Sequence, residues 1–359
     1  MLTVLVLNVM PALTGFLARN LGFTPADIGT FVSADVLGIA LGTAISVRFM
    51  GLTSLRATLA SGMAILLIAN LASAAAGSVT AITALRFCGG IGSGLALGAC
   101  FYVYGLAHRE RNFAAYLIGQ TALAFLVIVA IPFVAAQLGW RAVFVVLGLL
   151  TIPVLMLVSW LPTAKVAAPL GGSRATHARR SPLPAKLWLG LAGTVAFFLG
   201  QGSLYTFIER IGASSGFTEE VIAHSLSIFA MVGLLSCVFV LLLGSRVTSF
   251  GALLLGVAAN VLGASAVFAA KPWLYTVAIC FFYFSLPIIA TCQFGAIARA
   301  DTTGRAAVYA STATFGGFAL GPYLGGMLVE QLGYVGVQWL DIIMIILTAV
   351  TLVPLLRRV

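Results

Sequence analysis

Apolar runs of about 20 residues, the length that crosses a bilayer core, follow one another along nearly the whole chain. Twelve are read, at 2–20, 26–47, 57–77, 80–105, 113–136, 141–161, 187–208, 219–243, 250–269, 273–297, 306–330 and 335–355. Runs such as "AVFVVLGLLTIPVLMLVSWL" (142–161) lack the alternation of a membrane barrel strand, so they read as helices. With 61% hydrophobic and 8% charged residues, the chain could not cover a water-facing surface. The expected fold class is an all-α integral membrane protein with twelve transmembrane helices. The first run lacks a basic leader and is longer than a signal-peptide core, so it reads as a retained helix.

The formal net charge of +10 is a matter of topology. With a cytoplasmic N-terminus, Arg48, Arg56, Arg109, Arg111, Lys165, Arg174, Arg179, Arg180, Lys186, Arg246, Arg299, Arg305, Arg357 and Arg358 fall on the inner side. Arg19, Arg141, Arg210 and Lys271 fall on the outer side, and Arg86 lies within a span. This inward bias predicts both termini in the cytoplasm and excludes a nucleic-acid footprint. The five cysteines lie inside spans without metal-like spacing and read as packing residues. His108, His177 and His224 fall in two inner loops and near the outer end of a span, so no convergent catalytic or metal set forms and an enzyme is not expected.

The chain repeats itself at one offset. "GFTPADI" (22–28) and "GFTEEVI" (216–222) share Gly-Phe-Thr and a later Ile, with 216 − 22 = 194. "QLGWRAV" (137–143) and "QLGYVGV" (331–337) match in four places, and 331 − 137 is again 194. Arg111 and Arg305, each just before a span, are also 194 apart. A duplicated six-helix unit is expected, with bundles at 1–162 and 187–359. The acid-free, Pro/Gly/Ser-rich stretch at 163–186 reads as a basic cytoplasmic linker.

Twelve helices in a 6 + 6 arrangement with a long basic inner linker resemble the Major Facilitator Superfamily of secondary transporters. The resemblance covers nearly the whole chain. It implies two halves that rock about a site near the bilayer midplane, with no cofactor beyond an ion gradient, most readily of protons.

Individual residues sharpen this expectation. "LRFCGGIGSG" (85–94) resembles the superfamily's fourth-helix pattern of an arginine followed by spaced glycines. Arg86 therefore reads as a substrate-binding group or the partner of a carboxylate, against the alternative of snorkelling to the outer interface. Asp35, nine residues into the second span, reads either as a proton-coupling carboxyl or as an acid satisfied by Ser33 or backbone. Asn8, Gln120, Gln201, Tyr205 and Gln293 carry polar groups in spans that this fold places around its cavity. They are candidate substrate contacts or interhelical hydrogen bonds. Glu209 and Arg210 read as an outer gate pair or as interfacial residues. Arg48 stands in the loop "SVRFMGLTSLR" (46–56), the place of the superfamily's inner-gate signature, but Val47 occupies the position of its acid. Asp341, about six residues into the last span, ranks below Asp35 because outer helices of this fold lie away from the cavity.

"GFALGPYLGG" (317–326) fits the superfamily's G-x-x-x-G-P-x-x-G-G pattern at every fixed position: Gly317, Gly321, Pro322, Gly325 and Gly326. Such residues let helix backbones approach closely. Drug/proton antiporters carry the pattern on the fifth helix, whereas here it is on the eleventh. The 194-residue offset maps it to "LAFLVIVAIP" (123–132), which keeps Pro132 alone. The expectation is a monomeric, proton-coupled exporter of a small organic solute in a bacterial inner (plasma) membrane. Import by symport is the alternative, followed by a non-transporting sensor on the same fold.

Overall fold

The computed structural model describes residues 2–104, 109–158, 160, 185–243, 249–300 and 305–356. After a short 3-10 turn at Leu2–Val4 come α1 (Leu5–Asn8), α2 (Met10–Leu21), α3 (Pro25–Leu52), α4 (Leu55–Ala75), α5 (Val79–Tyr104) and α6 (Arg109–Leu138). These are followed by α7 (Trp140–Leu149), α8 (Ile152–Val158), α9 (Ala185–Ser214), α10 (Glu219–Leu243) and α11 (Ser249–Ala266). The chain closes with α12 (Pro272–Ala300), α13 (Arg305–Leu332) and α14 (Tyr334–Leu356). Among the described residues, ten helical segments are long and apolar enough to cross a membrane, or eleven if the bent pair Leu2–Asn8 and Met10–Leu21 is one span.

The bends have local causes. The first segment turns by 56° between Asn8 and Met10, beside Pro11, which has no N–H to continue the ladder. The Asn8 carbonyl at this break accepts a hydrogen bond from the Tyr205 hydroxyl at 2.6 Å. Between α7 and α8, Pro153 withholds the donor that the Leu149 carbonyl needs. There the Thr151 hydroxyl turns back to the Gly148 carbonyl at 2.7 Å.

The 194-residue spacing recurs in the backbone. Four glycines have positive φ among the described residues: Gly22 (66°), Gly139 (80°), Gly216 (82°) and Gly333 (71°). They form two pairs at one spacing, since 216 − 22 and 333 − 139 both equal 194. Thr24 and Thr218, also 194 apart, cap the helices that follow. Thr24 Oγ1 accepts from the Asp27 amide at 3.1 Å, and Thr218 Oγ1 accepts from the Val221 amide at 3.4 Å.

Two compact units arise. One comprises the described parts of Met1–Leu7, Ala34–Gln120 and Val134–Leu183; the other comprises Asn8–Ser33, Thr121–Phe133 and the described parts of Pro184–Val359. In the first, α4 packs along α5 and against α7 and α8. In the second, α9 is central, packing on α13, α14, α12 and α2. A buried core of Phe197, Phe198, Leu253, Ile289, Ile345 and Leu352 joins α9, α11, α12 and α14.

Helix α13 has 28 residues and length enough to span, yet it is not among the segments apolar enough to count. Its glycines take up the contact face. A Cβ at Gly321 would meet the Leu199 carbonyl of α9, and one at Gly325 would stand 2.5 Å from Ser203 Oγ. At Gly326 it would stand 2.6 Å from the Pro25 carbonyl, at the start of α3. Pro322 supplies no donor to the Phe318 carbonyl, and that oxygen faces Gly202 of α9.

Candidate functional site

In the first unit, α3 and α5 cross with almost no side chain between them. A Cβ at Gly90 would meet the Asp35 carbonyl, and one at Gly38 would meet the Phe87 carbonyl. This close approach brings together Asp35 and Arg86, two of the charged residues singled out within the spans. Arg86 is fully buried and Asp35 is 2% exposed. Arg86 Nη1 lies 3.9 Å from Asp35 Oδ1, close enough for strong Coulombic attraction but too far for a hydrogen bond. Arg86 Nη2 donates to Asn70 Oδ1 of α4 at 2.9 Å. The guanidinium also lies over the Phe144 ring of α7, 5.8 Å from its centroid.

The site is incompletely satisfied. Arg86 Nε and Nη1 and Asn70 Nδ2 have no hydrogen-bond acceptor among the described residues. Unmet donors of a buried cation are costly, and guanidinium donors in a fixed fork suit a planar or multi-oxygen acceptor. Burial excludes the snorkelling alternative for Arg86. Ser33 does not serve Asp35; its hydroxyl donates to the Ala319 carbonyl at 2.5 Å.

A second ionic cluster lies in the other unit. Arg19, in the last turn of α2, pairs with Glu209 of α9, and its Nε lies 3.2 Å from Glu219 Oε1 at the start of α10. Glu209 is 3% exposed, its Oε2 has no donor, and Gly15 leaves room for the carboxyl. The ion pair to Glu209 thus comes from a residue 190 positions away and not from adjacent Arg210. Arg19 was legible in sequence only as one of the few basic residues on the outer side.

Of the other polar candidates, Tyr205, Gln201 and Gln293 donate hydrogen bonds within the protein. Tyr205 reaches the Asn8 carbonyl, as above. Gln201 Nε2 donates to Ser285 Oγ at 3.2 Å, and Gln293 Nε2 donates to the Gly193 carbonyl at 3.3 Å. Gln293 Oε1 and Gln120 Oε1 have no donor among the described residues. The Arg48 side chain lies outside the described residues. His224 is exposed and faces Glu220 at 4.0 Å, one helical turn away. Sequence reasoning missed Asn70 and Asn260, although each is an amide in the middle of an apolar run, in the third and ninth segments.

The described residues form a bundle of membrane-length helices with glycine-packed contacts and a buried charge pair inside one unit. The sequence matches the Major Facilitator Superfamily over residues 2–300, and the chain belongs to that family. It is therefore a secondary transporter of small solutes and not an enzyme. No curated protein matches the sequence. Among solved structures it is similar to a mutant of the nucleoside transporter NupG, at 14% identity and TM-score 0.76, covering 99% of this chain and 96% of that one. It is also similar to the xylose transporter XylE from E. coli in a partially occluded inward-open conformation. That likeness has 16% identity and TM-score 0.76, covering 97% and 96%. XylE bound to 6-bromo-6-deoxy-D-glucose, described as a proton:xylose symporter, aligns at TM-score 0.69 with 16% identity, covering 97% and 91%.

Proposed function

We propose that this protein couples movement of a small organic solute to the proton gradient, with Asp35 carrying the proton and Arg86 binding the solute. The observation that carries this reading is a fully buried arginine whose counter-charge is 3.9 Å away and whose Nε and Nη1 donors are unfilled. A proton on Asp35 removes the competing negative charge and leaves Arg86 free for an acceptor group of the solute. Proton and solute then favour each other's binding, which is the logic of symport. A solute that binds through Asp35 itself competes with the proton and is exchanged for it. The G-x-x-x-G-P-x-x-G-G segment, resembling efflux members, favours this second reading, antiport and export.

In either case the proposed frame is twelve spans with both termini cytoplasmic, in a bacterial inner membrane. The halves are 1–162 and 187–359, joined by the basic linker 163–186. Glu209, Arg210 and Arg48 are the proposed gate charges, and Asn8, Gln120, Gln201, Tyr205 and Gln293 are further candidates for solute contact.

The test is transport in proteoliposomes with Asp35→Asn. Solute exchange should persist while accumulation driven by a pH gradient is lost. Unchanged gradient-driven flux in the variant would remove Asp35 from coupling. In the wild type, accumulation on the alkaline side indicates symport, and depletion from it indicates antiport.

A further inference from the structure

The unmet polar atoms of Arg86 and Asn70 are all donors. Arg86 Nη2 donates to Asn70 Oδ1 at 2.9 Å, and a guanidinium cannot accept, so this bond fixes which end of the amide faces it. Asn70 Nδ2, bonded to the same carbon as Oδ1, therefore stays beside the guanidinium as a donor. It has no acceptor among the described residues, and neither do Arg86 Nε and Nη1. Both side chains are fully buried, where unmet donors are costly. The Asp35 carboxyl falls short of them: at 3.9 Å from Nη1 it attracts the guanidinium without bonding to it.

Shape and charge narrow what would complete the cluster. The Phe144 ring lies over one face of the guanidinium, so on that side an acceptor can approach only along the plane of the N–H bonds. Gly89 keeps that surrounding open, since a Cβ there would stand 2.9 Å from Arg86 Nη2. Oxygens of a planar carboxylate meet guanidinium hydrogens edge-on. Arg86 is the one buried cation among the described residues. With a proton on Asp35 the cluster carries a single positive charge, which a monoanion neutralises. A dianion such as phosphate would bring a second negative charge out of water with nothing to offset it.

We propose that the solute is an organic monocarboxylate, whose carboxylate is held by Arg86 and Asn70 where the Asp35 carboxyl serves them incompletely. This rests on the reading of Arg86 as the solute-binding residue, and it adds the chemical class of the solute and Asn70 as a second donor. Charge balance then makes the carboxylate and the proton on Asp35 travel together, as the equivalent of the undissociated acid.

The experiment is thermal unfolding of the purified full chain of Asp35→Ala in detergent, at neutral pH and fixed ionic strength, with acetate as the probe. The variant leaves Arg86 without its counter-charge. Sodium acetate should raise its Tm progressively with concentration. Acetamide, of similar shape but uncharged, and sodium chloride should leave it unchanged, and inorganic phosphate should act less than acetate. The response should vanish when Arg86→Gln is added and weaken several-fold with Asn70→Ala. No response to acetate, an equal response to acetamide, or a rise that persists with Arg86→Gln would overturn the proposal; a stronger response to phosphate would overturn the carboxylate assignment. Should Asp35→Ala fail to fold, Asp35→Asn in nanodiscs supplies the reading, as saturation transfer from protein to the acetate methyl by NMR. Transfer should be lost on adding Arg86→Gln, and equal transfer with and without Arg86 would overturn the site. No gradient enters these measurements. An acetate response beside unchanged gradient-driven flux in Asp35→Asn would keep the carboxylate site and remove the proton role, and lost coupling without an acetate response would do the reverse.

Discussion

Arg86 and Arg19 show how differently one residue type is used within the same chain. Arg86 is enclosed, with an amide, an aromatic face and a distant carboxylate around it. Arg19 is part-exposed and gathers two carboxylates, Glu209 and Glu219, from different helices. Removing one partner of a buried charge pair leaves the other uncompensated, which is the expensive change. Arg19→Gln strands Glu209 and should destabilise the protein by about 2 kcal/mol, whereas Arg210→Gln should change stability by less than about 0.5 kcal/mol. Thermal unfolding of the two variants in the same detergent checks this. Equal effects would mean that Glu209 draws on both arginines alike. Asp35 and Arg86 were legible because a charge in an apolar run stands out, as does Asp341. Their neighbours Asn70 and Phe144 were not, because partner choice depends on how helices cross, and neither residue type is unusual in a membrane helix. The ion pair of Glu209 with Arg19 was not legible for the same reason, since the two lie 190 positions apart.

At the scale of elements, the helix positions were legible from apolar run length, and the turns from glycine. The 194-residue spacing, first seen in Gly-Phe-Thr and Gln-Leu-Gly, reappears as two pairs of positive-φ glycines. The two turns differ in what they demand. Gly22 sits at φ 66°, ψ 29°, a left-handed region that asparagine also visits. Gly139 sits at φ 80°, ψ 167°, a region open essentially to glycine alone. Neither has a neighbour within reach of an added Cβ, so substitution reports backbone conformation alone. Gly22→Asn should therefore fall within about 0.5 kcal/mol of wild type, while Gly139→Asn should cost about 1–3 kcal/mol. Unfolding measurements that rank the two in the opposite order would reject this account of the turns. Bends at Pro11 and Pro153 were less legible, because a proline in a membrane helix is tolerated when neighbours donate to unpaired carbonyls, as Tyr205 does to Asn8 at the break in the first segment.

At the scale of the whole molecule, each unit holds a buried acid and a buried asparagine: Asp35 and Asn70 in one, Asp341 and Asn260 in the other. The asparagines correspond by helix, on the third and ninth apolar segments, though not by position, whereas the acids, on the second and twelfth, do not correspond.

The glycine face of α13 has a consequence for biogenesis. A segment that trades apolar side chains for backbone contact is a poor substrate for lateral release into lipid on its own, because its partition free energy is set by the residues it exposes before its neighbours arrive. Residues 305–332, fused alone to a glycosylation or cleavage reporter, should enter the bilayer inefficiently. Adding 334–356, or supplying 185–214 ahead of it, should raise the inserted fraction several-fold. Efficient insertion of the isolated segment would show that its glycines serve the finished helix contact without delaying its entry. The close fit that places α13 against α9 would otherwise make translation order part of how this transporter is assembled.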